Sequence, residues 1–233
     1  MSTPQKTSRL QRVLARVEGE FGVPPAPALD SVFAHVVWEN IAYLQDDAHR
    51  AAAFAALQQA TRMHAEAVLA LPRAELTAFC AQGGIHAAER AGRLQDAARL
   101  WLHDFHGDDR AILDQEPKAA LKSLQQFPAI GRPGAEKILL HTGRLPVLAL
   151  ESNGLRALLR LGYGQEHKGY DQSYRSAQEA AAPELPAQCK ALQRAHALLK
   201  ELGRQVCKRS APLCAECPAR ALCPTGSPGN KRG

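Results

Sequence analysis

The sequence predicts an all-α protein with two helical lobes. Apolar residues recur with helical spacing along the chain, no segment shows the apolar–polar alternation of a strand, and the connections between helical segments are short. With 233 residues, 45% of them hydrophobic, the chain can bury one large core or two modest ones. A Pro-rich break at residues 23–27 marks the expected crossing between the lobes.

The first predicted helix spans residues 8–21 and is amphipathic, with one apolar face formed by Leu10, Val13, Leu14 and Val17. Further helices are predicted over residues 30–45, 48–61, 64–70, 73–82, 86–106, 109–115 and 119–125. Beyond the segment PAIGRPG, helices are expected over residues 134–141, 152–161, 173–181 and 187–206. Three glycines within residues 162–173 predict a loop.

A compact turn joins two predicted helices within LQQFPAIGRPGAEKILL, residues 124–140. Glycine and small residues in this turn let backbone amides approach a surface that side chains would otherwise block. The positive end of the following helix favours a phosphate oxygen. The candidate phosphate contacts are Ala129, Ile130, Gly131, Arg132 and Gly134. The alternative is an ordinary corner between two helices, in which the glycines only permit the turn.

Four of the six cysteines lie in one short segment near the C-terminus: Cys207, Cys214, Cys217 and Cys223. Their spacing, Cys-x6-Cys-x2-Cys-x5-Cys, is typical of a loop whose thiolates converge on one inorganic centre. Iron–sulfur ligation fits better than zinc, because zinc sites usually pair two Cys-x2-Cys knuckles across a longer spacer. Zinc and a disulfide framework are the alternatives. Cys80 and Cys189 are interpreted as ordinary thiols.

The composition indicates a polyanionic partner. Lysine and arginine outnumber aspartate and glutamate by 29 to 23, which gives a formal charge of +6 and suits nucleic acid. The N-terminus lacks the apolar run of a signal peptide, and no segment approaches the roughly 18 uninterrupted apolar residues of a membrane span. We therefore expect a cytoplasmic monomer without membrane contact, associated with the nucleoid if the source is bacterial.

Three segments, FPAIGRPGA, VLALESNGLRALLRLG and LGRQVCKRSAPLCAECPARALC, resemble in order and spacing the endonuclease III branch of the helix–hairpin–helix DNA glycosylases. The resemblance covers residues 10–223 in helical layout and is most specific from residue 124 onward. It implies two lobes that flank a DNA-binding cleft. A barrel-like lobe with the hairpin would span residues 30–145, a cluster lobe would combine residues 1–29 and 146–226, and a flexible basic tail would follow over 227–233.

The resemblance also implies a cofactor and a partner. The four clustered cysteines would hold a 4Fe–4S cluster, and Lys208 and Arg209 between the first two of them would face DNA phosphates. The implied partner is double-stranded DNA that carries damaged or mismatched bases. The helix VVWENIAYLQDD lies where relatives carry residues that line the cleft. It supplies candidate wedge or pocket groups in Asn40, Tyr43 and Gln45.

The chain departs from the family at the catalytic positions. Pro133 occupies the position of the lysine that forms a Schiff base in bifunctional relatives, so lyase chemistry by that route should be absent or very slow. Lys137, one helical turn further along, is a possible substitute. Glu151 aligns with the family's catalytic aspartate, and its alternative interpretation is an acid that stabilises a helix start. Asn153 stands where many relatives carry histidine and is a further candidate pocket residue.

The predicted function is therefore that of a DNA N-glycosylase of base excision repair, either monofunctional or weakly active. The alternative is a DNA-lesion or DNA-structure binding protein that has lost efficient chemistry on the same scaffold.

Overall fold

The computed structural model describes residues 7–227, and twelve α-helices make up most of this part of the chain. The helices are α1 (Arg9–Phe21), α2 (Val32–Ile41), α3 (Asp47–Thr61), α4 (Ala65–Ala70), α5 (Arg73–Gln82), α6 (Ala87–Asp104), α7 (Arg110–Leu113), α8 (Pro117–Leu124), α9 (Arg132–His141), α10 (Ser152–Arg160), α11 (Tyr170–Ala181) and α12 (Cys189–Gln205). Within residues 7–227, β pairing is limited to one bridge between Tyr43 and Gly84. The all-α prediction is confirmed.

The helix boundaries differ from the predicted ones where proline or tertiary contacts decide them. Helices α8 and α9 begin earlier than expected, because Pro117 and Pro133 fit the first helical turn, where an amide hydrogen is not needed. Helix α2 ends at Ile41 instead of continuing to residue 45, because Ala42 is extended and the amide of Tyr43 donates to the carbonyl of Gly83 at 2.9 Å.

The chain divides into two compact units. Of the described residues, the first unit combines 7–26 with 145–227, and the second spans Pro27–Arg144. The predicted basic tail lies outside the described residues from position 228 on. Among the helices described, none is long and apolar enough to cross a membrane.

An aromatic cluster forms part of the core of the second unit. The ring of Trp101 on α6 lies 6.1 Å from that of Phe33 on α2 and 6.3 Å from that of Phe127. Phe127, in the turn between α8 and α9, also stacks on Phe105 at 5.4 Å. Because all four rings are nearly or fully buried, this cluster fixes the turn before α9 to the centre of the unit.

Helix α10 and helix α12 form the centre of the first unit. The two helices pack closely along faces that bury Leu155, Leu158, Leu199 and Leu202. The closest approach is at Gly203, where an added Cβ would lie 2.3 Å from the carbonyl oxygen of Asn153. Glycine is therefore required at this position by packing, because a side chain would force the helices apart.

Replacement of Gly203 by alanine should destabilise the protein. The new methyl group would meet the backbone of Asn153, which cannot move without shifting α10, so we expect a loss of about 1–3 kcal/mol or more in the free energy of unfolding. Gly19, inside the exposed part of α1, has no heavy atom within 4 Å of an added Cβ. Gly19→Ala should stabilise by roughly 0.5–1 kcal/mol. Urea unfolding measures the free energy of unfolding of both variants. If Gly203→Ala were as stable as the wild type, α10 and α12 would not approach as closely at Gly203 as described.

Candidate functional site

The turn between α8 and α9 leaves its glycine backbone open. Neither Gly131 nor Gly134 has a positive φ, and an added Cβ would meet no atom closer than 3.8 Å at Gly131 or 3.5 Å at Gly134. The one left-handed residue within 125–131 is the exposed Ala129, at φ 60°. The turn therefore does not itself need glycine at either position, and the bare backbone leaves room for a ligand.

The start of α9 has the properties of an anion site. No side chain caps this end of the helix. Ile130, two residues before the first helical residue, is buried in the core. Arg132 is partly exposed, and its Nε donates to Glu136 Oε1 at 2.8 Å. Since the Glu136 side chain is buried, the ion pair holds the Arg132 guanidinium beside the first turn of the helix.

Lys137 does not occupy the position of Pro133. Its Nζ lies 2.8 Å from Glu39 Oε2, in an ion pair between α9 and α2 in which both side chains are mostly buried. Pro133 itself is the second residue of α9. The amine that was considered as a substitute nucleophile is thus engaged by a carboxylate of its own unit.

Glu151 is the N-cap of α10, and both of its carboxylate oxygens accept hydrogen bonds. Oε1 accepts from the amide of Gly154 at 2.6 Å, and Oε2 accepts from Asn153 Nδ2 at 3.0 Å. Asn153 Oδ1 in turn accepts from Arg156 Nη2 at 2.8 Å. The carboxylate is therefore oriented by its own helix, while each oxygen keeps further lone-pair capacity for a substrate or a water molecule.

Two arginines of α10 bind the backbone of the cysteine segment. Arg156 Nε donates to the carbonyl oxygen of Cys207 at 2.9 Å. Arg160 donates to the carbonyl oxygens of Lys208 at 2.7 Å and Arg209 at 3.0 Å. The side chains of Lys208 and Arg209 are exposed and form no ion pair with any residue described. The helix that begins at Glu151 thus also positions this basic loop.

The four cysteines of the C-terminal segment are free and half-buried. Cys207 Sγ lies 3.6 Å from Arg160 Nη1, and Cys223 Sγ lies 3.4 Å from the Arg160 carbonyl oxygen. Burial raises the pKa of Cys217, and the charges of the other three thiolates raise it further. Across residues 7–227, however, no three His, Cys, Asp or Glu side chains are grouped closely enough to hold a metal ion.

The candidate wedge residues have different environments. Asn40 is buried, and its Nδ2 donates to the carbonyl oxygens of Val36 and Pro128, each at 3.0 Å. It therefore connects α2 to the turn before α9. Its Oδ1 is buried without a hydrogen-bond partner among the described residues. Tyr43 and Gln45 are exposed in the loop after α2, which places them at the surface.

Two exposed apolar side chains beside Tyr43 were not identified from the sequence. Leu44 is 74% exposed and Ile85 is 49% exposed. They lie on the two loops that the bridge between Tyr43 and Gly84 joins. The Gly83-Gly84 pair was the available sequence signal, because a close approach of two backbones often needs glycine.

A buried arginine holds these two loops together. Arg90 on α6 is 2% exposed and donates to the carbonyl oxygens of Cys80 and Gly84, each at 2.7 Å, and of Ile85 at 2.9 Å. It also donates to the carbonyl oxygen of Ile41 at the end of α2. One guanidinium therefore fixes the loop that carries Tyr43 against the loop that carries Ile85.

A buried histidine lies beside the ion pair of Lys137. The ring of His35 on α2 is 6.1 Å from that of His141 on α9. Burial lowers the pKa of His35 to about 4, and nearby His141 lowers it as well; Lys137 acts in the same direction, while Glu39 and Asp30 oppose it.

This histidine should make stability depend on pH. Folded His35 stays neutral down to a pH of about 4, whereas unfolded His35 binds a proton near its ordinary pKa of 6.5. The unfolded state therefore binds more protons between these values, and the free energy of unfolding falls as the pH decreases through that window. Between pH 7 and pH 4.5 the loss due to His35 should be about 2 kcal/mol. Urea unfolding of His35→Gln at the two pH values should show a correspondingly smaller loss.

The matched control for this experiment is His64→Gln. His64 is exposed at the start of α4 and its side chain caps no amide. Its replacement should leave the pH dependence as in the wild type. An unchanged pH dependence in His35→Gln would show that His35 takes up a proton in the folded state as readily as in the unfolded state.

No protein-family model matches the chain. It is 25% identical to endonuclease III of Bacillus subtilis (strain 168) over 168 residues, which cover 72% of this chain and 70% of that protein. Its fold is similar to that of a non-covalent endonuclease III–DNA complex, with a TM-score of 0.75 and 19% identity over 97% of each chain. A thermostable thymine-DNA glycosylase is similar with a TM-score of 0.73 and 17% identity, over 94% of this chain and 96% of that one.

Proposed function

Because the chain is a homologue of endonuclease III with the fold of the helix–hairpin–helix DNA glycosylases, we propose that it is a DNA N-glycosylase of base excision repair. The proposed substrate is double-stranded DNA with a damaged or mismatched base, bound by a monomer that acts at the nucleoid if the cell is bacterial. The observation that carries the proposal is the open glycine backbone at the uncapped start of α9. The turn does not require glycine at either position, whereas a phosphate oxygen that binds to the backbone amides would require the open space.

The proposed phosphate contacts come from two basic surfaces. At the hairpin, amides around Gly131 and Gly134 would bind a phosphate oxygen without reading the base sequence, and Arg132 would add charge. Ala129 and Ile130 hold the turn that presents these amides. On the cysteine loop, the exposed side chains of Lys208 and Arg209 would contact further phosphates, so affinity should fall steeply with salt.

The loops after α2 and α5 supply the proposed wedge. A base must leave the duplex before its glycosidic bond can be attacked, and the gap is then filled by protein side chains. Tyr43, Leu44 and Ile85 are exposed side chains on two loops that Arg90 holds in place. Gln45 would contact the bases beside them. Asn40 is assigned the supporting role of joining α2 to the hairpin.

Glu151 is the proposed catalytic carboxylate. The water oxygen would bond to C1′ of the sugar while the bond from C1′ to the base nitrogen breaks, and the base would leave with the electron pair of that bond. Glu151 would stabilise the developing positive charge of the sugar or accept the proton of the water. Asn153 and the amide of Gly154 fix the carboxylate orientation, which limits the loss in rate that the longer glutamate side chain would otherwise cause.

The proposed activity does not include strand cleavage by a lyase. Pro133 has no amine, so it cannot form the covalent intermediate that the family lysine forms. The nearest lysine along α9, Lys137, directs its amine to Glu39.

The proposed cofactor is a 4Fe–4S cluster held by Cys207, Cys214, Cys217 and Cys223. A single tetrahedral zinc ion would draw the thiolates to within about 4 Å of one another. The support for the cluster is the spacing Cys-x6-Cys-x2-Cys-x5-Cys, which contains a single Cys-x2-Cys pair where zinc sites usually have two. A cluster binds each cysteine through a different iron atom, so its ligands stand further apart. The cluster would hold the loop of Lys208 and Arg209 in one conformation.

Base release should depend on Glu151. In single-turnover incubations with duplexes that carry uracil, oxidised pyrimidines, alkylated purines or mismatches, the wild type should produce alkali-labile sites in at least one substrate. Glu151→Gln should lower that rate by about a hundredfold or more, because the amide cannot act as a base or carry the negative charge. The amide oxygen can still accept the bond from Gly154, so the helix cap is kept. Glu179→Gln on the exposed face of α11 is the matched control.

The other outcomes separate the alternatives. Tight binding to lesion duplexes without base release would support a non-enzymatic lesion-binding protein, and failure to bind duplexes at low salt would reject both functions. Borohydride should trap no covalent complex with the wild type, whereas Pro133→Lys should allow trapping. Trapping by the wild type that is lost in Lys137→Ala would overturn the assignment at Pro133.

A further inference from the structure

The first unit contains a cavity of ≈ 390 Å³ beside α10, and of its lining residues the proposed glycosylase function uses only Arg209. Four positively charged side chains line it together with only one carboxylate, Glu166. The cations come from three separate segments and are Arg156, Arg160, Lys168 and Arg209. A cavity with such an excess of one charge attracts anions and favours a phosphate group. Its volume lies within the range of small-molecule sites.

Two of the cations are available to a ligand. The side chains of Lys168 and Arg209 form no hydrogen bond or ion pair with any residue between positions 7 and 227. Arg156 and Arg160 bind backbone carbonyl oxygens of the cysteine segment, so neither is neutralised by a direct ion pair with a carboxylate. Arg160 Nη1 lies 3.6 Å from Cys207 Sγ, so the cysteines offset part of its charge, whereas Lys168 and Arg209 have no carboxylate partner among the described residues.

The wall that carries Lys168 is held firmly against α11. Gly164 has a φ of +80°, and an added Cβ would lie 2.5 Å from the amide nitrogen of Ala177. Ser176 Oγ accepts from the amide of Gln165 at 2.9 Å, and Ser173 Oγ accepts from the amide of His167 at 2.8 Å. These contacts give the loop a defined conformation without any ligand.

The cavity also has an aromatic and apolar side. Tyr170, at the start of α11, is 48% exposed, and its ring stacks on that of Tyr174 with centroids 6.2 Å apart. Leu155 and Leu159 of α10 line the same space. An exposed aromatic ring beside uncompensated cations matches the two parts of a nucleotide, whose base stacks and whose phosphate is charged.

We propose that this cavity binds a nucleoside monophosphate, supplied either as a free nucleotide or as the phosphorylated end of a DNA strand. Lys168 and Arg209 bind the phosphate, and Tyr170 stacks on the base. The site goes beyond the glycosylase function and does not require base release.

Calorimetric titration of the full-length protein with thymidine 5′-monophosphate tests the site. The nucleotide should bind at least about tenfold more tightly than thymidine or inorganic phosphate, because only the nucleotide uses both sides of the cavity. Lys168→Glu and Tyr170→Ala should each weaken binding about tenfold or more, in line with the measured value of a stacked base. Lys190→Glu, exposed on α12 away from the cavity, should leave it unchanged. No binding at millimolar nucleotide, or equal weakening by all three variants, would overturn the proposal.

Competition experiments identify the source of the ligand. If a 5′-phosphorylated single-stranded oligonucleotide displaces the nucleotide and its 5′-hydroxyl form does not, the natural ligand is a strand end. If neither displaces it, the ligand is a free nucleotide. Equal displacement by both forms contradicts a site for a terminal phosphate. Binding to lesion duplexes, measured on the same protein, reports separately on the glycosylase function, so either proposal can fail alone.

Discussion

The first unit depends on the hydrogen bonds from two arginines of α10 to the backbone that follows α12. Arg156 and Arg160 hold the carbonyl oxygens of the cysteine loop, while the close approach at Gly203 sets the distance between the two helices. The same helix begins at Glu151, whose carboxylate its own first turn orients. One short helix therefore positions the proposed catalytic group, the basic loop and one wall of the nucleotide cavity.

In the second unit, too, buried polar side chains hold loops in place through hydrogen bonds to backbone carbonyl oxygens. Arg90 joins two loops through backbone carbonyl oxygens, and Asn40 joins α2 to the hairpin turn. A buried cation without a carboxylate partner is costly unless its donors are satisfied, and here several carbonyl oxygens satisfy them. These contacts give two surface loops a defined conformation, which the proposed wedge would need because a mobile loop would lose conformational entropy on entering the duplex.

The fold class and the order of the candidate site residues could be predicted from the sequence. Helical periodicity predicted the all-α class, and the order of hairpin, carboxylate and cysteines predicted the resemblance to endonuclease III, to which the chain is 25% identical, since both are local signals. The end of α2 could not be predicted, because the bridge from Tyr43 to Gly84 terminates it and joins residues far apart in the chain. For the same reason the sequence did not predict that Asn40, a candidate wedge or pocket group, is buried and connects α2 to the hairpin turn. The exposure of Leu44 and Ile85 and the burial of Arg90 between their loops were not predicted, because both depend on tertiary contacts.

The most direct test of the account is the metal content of protein purified without oxygen. If α10 holds the cysteine loop around a 4Fe–4S cluster, the wild type should contain about four iron atoms per chain and absorb visible light broadly. Cys217→Ser should lose both properties, whereas Cys189→Ser, outside the segment, should keep them. Colourless, iron-free protein with one zinc ion per chain would contradict the account.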